Sequence, residues 1–195
     1  VGELANASAA TGVSAFSVFE KALIPFRLVF IMWLVFVIQF VNGYNLSFLG
    51  VKPRTWQGLP GIFTAPMVHA DLFHLVGNTV PVLFLGAVLF YFYSSVSHRV
   101  FFTCYLATNA LVWVFSPNVN YHLGASGLVY GLSAFLILFG VFRRKIGSLA
   151  ISLVVFVAYG GIFYSIVPTR RDVSWESHLA GALVGISTAI YFRRK

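Results

Sequence analysis

An all-α, polytopic membrane bundle is the fold class this 195-residue sequence predicts, and three observations predict it. The composition is 59% hydrophobic and only 9% charged, with mean hydropathy +0.88, where a soluble domain carries about 25% charged residues. Runs of about 18 or more nearly uncharged residues recur along the chain and need a bilayer as their solvent. The 13 Lys and Arg residues cap these runs and form no aromatic-interleaved patch, so the net charge of +8 reads as membrane topology rather than nucleic-acid binding.

Residues 1–20, rich in Ala, Ser and Gly, read as a mobile lead-in to a single membrane domain over 21–195. Six spans are predicted, at 26–42, 72–93, 99–115, 126–142, 146–167 and 175–192. The segment 44–71 between the first two carries Lys52 and Arg54 and is broken by Pro53, Pro60, Gly61 and Pro66. It is too polar to span, while its Trp56, Ile62, Phe63 and Met67 suit a membrane interface. Pro81 removes a backbone bond to Gly77 and is expected to bend the second span. The lone Cys104 leaves no disulfide framework.

Charge sets the orientation. With both termini inside, Lys21, Arg27, Arg99, Arg143, Arg144, Lys145, Arg193, Arg194 and Lys195 face the cytoplasm, against Lys52, Arg54, Arg170 and Arg171 outside. Ser126 lies 17 residues from Arg143 and His178 lies 15 from Arg193. At about 1.5 Å per residue both sit roughly 22–26 Å above the inner charges, at one level toward the extracytoplasmic face of a ~30 Å core.

A hydroxyl and an imidazole in hydrocarbon cost free energy unless each has a partner. The cheapest solution is that Ser126 and His178 partner each other, the reactive half of a serine protease. Alone, Gly124-Ala125-Ser126-Gly127 is a small-residue cluster of the kind that packs helices closely, and His178 could make a structural hydrogen bond. Gly181 and Gly185 share a face with His178, and Gly127 and Gly131 form a matching stripe beside Ser126. Two such stripes let the backbones approach closely enough for the short side chains to meet. Tyr130, one turn from Ser126, is placed to support the imidazole or simply to pack.

The acids are Glu3, Glu20, Asp71, Asp172 and Glu176, and none is placed as a third triad member. Glu176 points about 200° around the helix from His178, and Asp71 reads as the N-cap of the second span. The mechanism expected is a Ser–His dyad, with His178 as base and then acid. His74 and Asn78 stack at i and i+4 near the outer end of the second span. They could stabilise an oxyanion with the backbone N–H groups of Ala125 and Ser126, or merely bond across helices. His69 reads as a brace for the loop, and His98 and His122 as ordinary boundary residues. No H-E-x-x-H zinc motif and no pair of intramembrane aspartates is present, so neither a metal nor another cofactor is expected.

These residues resemble the rhomboid family of intramembrane serine proteases from the first span to Lys195. The likeness rests on His74-x-x-x-Asn78, Gly124-Ala125-Ser126-Gly127 and His178-Leu179-Ala180-Gly181-x-x-x-Gly185, in that order. It implies a six-helix bundle, Ser126 as nucleophile, His178 as base, and an oxyanion site of His74, Asn78 and the Ser126 amide. It also implies that Tyr130 packs on the base and that 44–71 is a half-embedded first loop. The sequence departs from the family where many members carry Trp-Arg before the second span, reading Pro60-Gly61 instead.

The function expected is intramembrane endopeptidase cleavage of single-span or polytopic membrane proteins, in a bacterial inner membrane. The lipid bilayer is its medium and no nucleic acid its partner. A transporter or channel would continue its polar residues toward the cytoplasmic side, whereas the spans below Asn78 and Tyr130 are almost wholly apolar apart from Ser133. A non-proteolytic protein that retains membrane clients would need no activated hydroxyl at Ser126.

Overall fold

The computed structural model describes residues 15–167 and 174–194, with side chains from residue 23 onward. Six long helices account for most of it. They are α1 (Ala15–Asn42), α2 (Leu72–Phe92), α3 (Ser97–Phe115), α4 (Ser126–Arg143), α5 (Ile146–Tyr159) and α6 (Trp175–Phe192). Their positions follow the six expected runs, and the described residues hold no strand beyond one antiparallel bridge between Val51 and His122. Arg170, Arg171 and Asp172 lie outside the described residues, as does most of the expected lead-in.

Two boundaries differ from the sequence expectation. First, α1 begins at Ala15, so 15–20 belong to a helix rather than to the lead-in. Pro25 lies inside this helix and fits where α2 has only a hydrogen. A Cβ on Gly86 would come within 2.6 Å of the Pro25 ring carbons. Second, the fifth run does not stay α-helical to its end. It tightens into a 3-10 segment over Gly160–Ile166, beginning at the Gly160-Gly161 pair, where helix propensity is lowest.

The bundle is apolar outside as well as inside, as lipid solvation requires. Phe30, Phe40 and Val41 on α1 and Ile146, Phe156 and Val157 on α5 are exposed. Four helical segments are long and apolar enough to cross a membrane on their own, namely Leu23–Asn42, Leu72–Phe92, Ser126–Arg143 and Ile146–Ile166. The other two helices carry the buried polar groups Thr108, Asn109, Glu176, Ser177, His178 and Thr188, and pack against α4 and each other. Two-thirds of α4 is buried (67%), and it touches α2, α3, α5 and α6. An all-α polytopic bundle of this kind is an integral membrane protein.

The glycine stripes are the seam between α4 and α6. A Cβ at Gly181 would overlap the carbonyl oxygen of Gly127, and one at Gly185 that of Gly131. Any side chain there would push the helices apart, so small residues at this spacing are what permit the approach.

The first loop is anchored without the Trp-Arg pair. Arg54, at φ +54°, donates its backbone N–H to Trp113 O and its guanidinium to Ser116 O. Trp113 Nε1 donates back to Thr55 O at 2.9 Å, and Tyr105 and Asn109 on α3 donate to Phe63 O and Ile62 O. Gly61 lies against the Gly50 backbone, where a Cβ would collide. Gly61 thus makes a close backbone crossing that an arginine at this position could not enter.

Candidate active site

The N-termini of α2, α4 and α6 gather at one end of the bundle, each carrying site residues in its first two turns. Asp71 caps α2 as expected, accepting the His74 amide at 2.8 Å. That fixes the start of the helix and so the face on which His74 and Asn78 stand one turn apart. Asn78 is buried and donates one Nδ2–H to His74 O at 3.1 Å, keeping its second N–H for another acceptor.

Both side chains press on the turn that leads into α4. Gly124 has φ +94°, a conformation glycine alone adopts without strain. A Cβ there would lie 2.6 Å from His74 Cε1 and Nε2, and 3.4 Å from Asn78 Nδ2. The structure therefore brings His74, Asn78 and the Gly124-Ala125-Ser126 backbone together. Ser126 is the first residue of α4, and no side chain caps that terminus, so the leading N–H groups have no intrahelical acceptor.

Across the glycine seam, α6 carries His178, which is buried. Its ring stacks on Tyr130 with centroids 4.1 Å apart and planes within 5°. Its Nδ1 faces Ser165, 3.1 Å from Oγ and 3.3 Å from the backbone oxygen. Ser165 Oγ donates to Ile162 O at 3.0 Å and also contacts the Tyr130 hydroxyl, which itself donates to Ile162 O at 2.5 Å. With the serine proton spent there, Ser165 receives Nδ1–H, and the neutral ring keeps its lone pair on Nε2.

Ser126 is half-buried, and among the described residues its Oγ has no hydrogen-bond partner. The nucleophile and base expected from the sequence thus lie on directly packed helices without a bond between them here. Catalytic hydrogen bonds are commonly long in ligand-free enzymes and tighten around substrate. Glu176 points away from His178 as expected, and its Oε2 is buried without a partner.

Sequence reasoning missed Ser165, and it misplaced His122 as an ordinary boundary residue. His122 is buried and bonded through both ring nitrogens, to Ser116 Oγ at 3.0 Å and Ser174 Oγ at 2.5 Å. The error is physical: a loop histidine is cheap when solvated, and only the fold shows that α3, α6 and the first loop close over it. His69, expected to brace the loop, is fully buried and neither ring nitrogen makes a well-formed hydrogen bond, with the Met67 backbone close by. It meets His74 edge-on at 5.0 Å, and burial, with His74 adding to it, lowers it to about 3. Among the described residues no three His, Cys, Asp or Glu side chains are grouped to hold a metal ion.

A buried imidazole held through Nδ1, a serine at a helix N-terminus and the His74 and Asn78 side chains against Gly124 thus share one end of the membrane bundle. The Rhomboid domain matches residues 53–195 of this chain. Among curated proteins the chain is 35% identical over 175 residues to uncharacterized proteins of Mycobacterium tuberculosis and Mycobacterium bovis, covering 82% of this chain and 70% of each relative. An uncharacterized protein of Mycobacterium leprae is 33% identical over the same length, covering 82% of this chain and 66% of that protein. The chain belongs to the rhomboid family, a family of intramembrane proteases.

Proposed function

We propose that this protein is an intramembrane serine endopeptidase working through a Ser126–His178 dyad. The observation that carries the reading is the held imidazole. Tyr130 fixes the plane of His178 and Ser165 fixes its Nδ1, which leaves Nε2 as the base on the helix facing Ser126. A neutral hydroxyl and carbonyl thereby take over the orienting role that an aspartate has in a triad.

In this mechanism Ser126 Oγ attacks the scissile carbonyl carbon while its proton passes to His178 Nε2. The carbonyl oxygen becomes an oxyanion, accepting hydrogen bonds from the His74 ring, the free Asn78 N–H and the amides of Ala125 and Ser126. The imidazolium then protonates the leaving amine, the C–N bond breaks, and water deacylates Ser126 by the same steps reversed. Gly124 lets the oxyanion donors come this close, while Gly127, Gly131, Gly181 and Gly185 let the helices that carry the dyad meet.

The substrates are transmembrane segments of single-span or polytopic proteins, opened locally because a helical peptide bond is shielded from attack. Cleavage falls toward the extracytoplasmic side, with small residues favoured beside Gly124 and Ala125. The test is cleavage of a single-span reporter by purified protein in bilayer vesicles. Wild type cuts it, while Ser126→Ala and His178→Ala fall to background, about 10⁴-fold or more, with folding intact. Normal cleavage by either variant overturns the dyad.

A further inference from the structure

The segments leading into α4 and α6 are tied to each other by a second Ser–His pair with the partners exchanged. His122 stands four residues before Ser126, and Ser174 stands four residues before His178. Their side chains meet at 2.5 Å, Ser174 Oγ to His122 Nδ1. Ser174 is the N-cap residue of α6, yet it makes no capping bond to the helix amides. A serine at this position ordinarily accepts from the second or third amide. Here the hydroxyl turns to His122 instead, and also meets Ser177 Oγ at 2.7 Å. A local rule set aside in favour of a long-range bond marks a position held for function.

His122 itself has no freedom left. Its backbone pairs with Val51 in both directions, N–H to O at 2.8 Å and O from N–H at 3.0 Å. Its Nε2 lies 3.0 Å from Ser116 Oγ at the end of α3. That hydroxyl donates to Asn118 O, so the ring gives Nε2–H to Ser116 and accepts the Ser174 proton at Nδ1. Burial lowers the imidazole from its ordinary value, which keeps Nδ1 an acceptor. One residue therefore joins the first loop, the end of α3, the approach to Ser126 and the start of α6. The glycine seam sets how near α4 and α6 come, but glycines cannot fix how far one helix slides along the other. A displacement of about 1 Å in such a pair costs about a hundredfold in rate.

We infer that His122 is a positioning residue that sets the register of His178 against Ser126 through its bond to Ser174. The inference rests on the dyad proposed above. It is tested by steady-state cleavage of the single-span reporter in vesicles. The panel is wild type, Ser126→Ala, His122→Ala, His122→Asn, His122→Gln, Ser174→Ala and the His122→Ala/Ser174→Ala double variant. Asn places an acceptor where Nδ1 was, whereas Gln reaches only the Nε2 side. Expected are kcat losses of about 10- to 100-fold at unchanged KM for His122→Ala and Ser174→Ala. The double variant should be no worse than either single one, with recovery in Asn and none in Gln. Ser174→Ala removes one oxygen from the same bond, so the test stands even where His122→Ala fails to fold. Wild-type kcat in Ser174→Ala, additive losses, or equal behaviour of Asn and Gln overturns the positioning role alone. Full cleavage by Ser126→Ala overturns the dyad and this inference with it.

Discussion

Helices α4 and α6 meet backbone against backbone, whereas α5 presents most of its surface outward. Only 11% of the Ile146–Ile166 span is buried, against 67% of Ser126–Arg143. The outward helix shows Leu149, Leu153, Val154, Phe156 and Val157 to the outside, while the inward pair meets along Gly127, Gly131, Gly181 and Gly185. In water the order would be reversed. In a bilayer an apolar side chain gains little by leaving lipid, so interior positions go to residues that allow close packing or carry chemistry. The most apolar helix is then the least informative about function, and the places where the apolar pattern is interrupted are the most informative.

That contrast can be broken most sharply at Gly181. A Gly181→Val side chain must displace the Gly127 carbonyl, which costs about 1–3 kcal/mol in stability and moves α6 with His178 away from α4 with Ser126. Cleavage should fall to background, and thermal unfolding in detergent should shift down. Unchanged activity in this variant would mean that the glycine seam does not set the site.

Ser165 sharpens the comparison, because the tail of the outward helix turns inward there. Ser165→Ala removes the hydroxyl at His178 Nδ1 but leaves the backbone oxygen, so kcat should fall about tenfold, near 1.4 kcal/mol, with recovery in Ser165→Thr. An equal loss of KM and kcat effects in Ser165→Thr and Ser165→Ala would make the hydroxyl irrelevant.

A third effect is smaller and depends on pH. His69 is held near 3 against an ordinary 6.5, so the folded protein keeps it neutral where the unfolded chain takes up a proton. Its stability contribution is full above pH 6.5 and drains as pH falls from 6.5 toward 3. By pH 5 the loss is about 1–2 kcal/mol, read as a drop in the thermal midpoint, and His69→Gln should flatten that slope. Smallest of all is Val157→Ala on the outward face of α5, where the change in stability should stay within about 0.5 kcal/mol.

Much of the candidate site could be read from the residues because burial in hydrocarbon forces polar groups to justify themselves. Ser126, His178, His74 and Asn78 interrupt apolar runs, which is what sets them apart in the sequence. Asp71 was legible as a cap from its place before the second run. Ser165 was not, since a serine near a helix end is inexpensive, and its role depends on the 3-10 tightening after Gly160-Gly161. His122 was not, because its partners Ser116 and Ser174 come from two other helices and its pairing with Val51 from the first loop. The fold was legible to nearly the same degree, with the early start of α1 concealed by a proline that packs on Gly86 instead of ending the helix.

The central claim is that His178 activates Ser126, and covalent labelling measures that without assuming any substrate. A fluorophosphonate probe should label wild type at Ser126, and replacing His178 with alanine should abolish the labelling while the protein stays folded. Labelling at the same rate in His178→Ala, or at a residue other than Ser126, would contradict it.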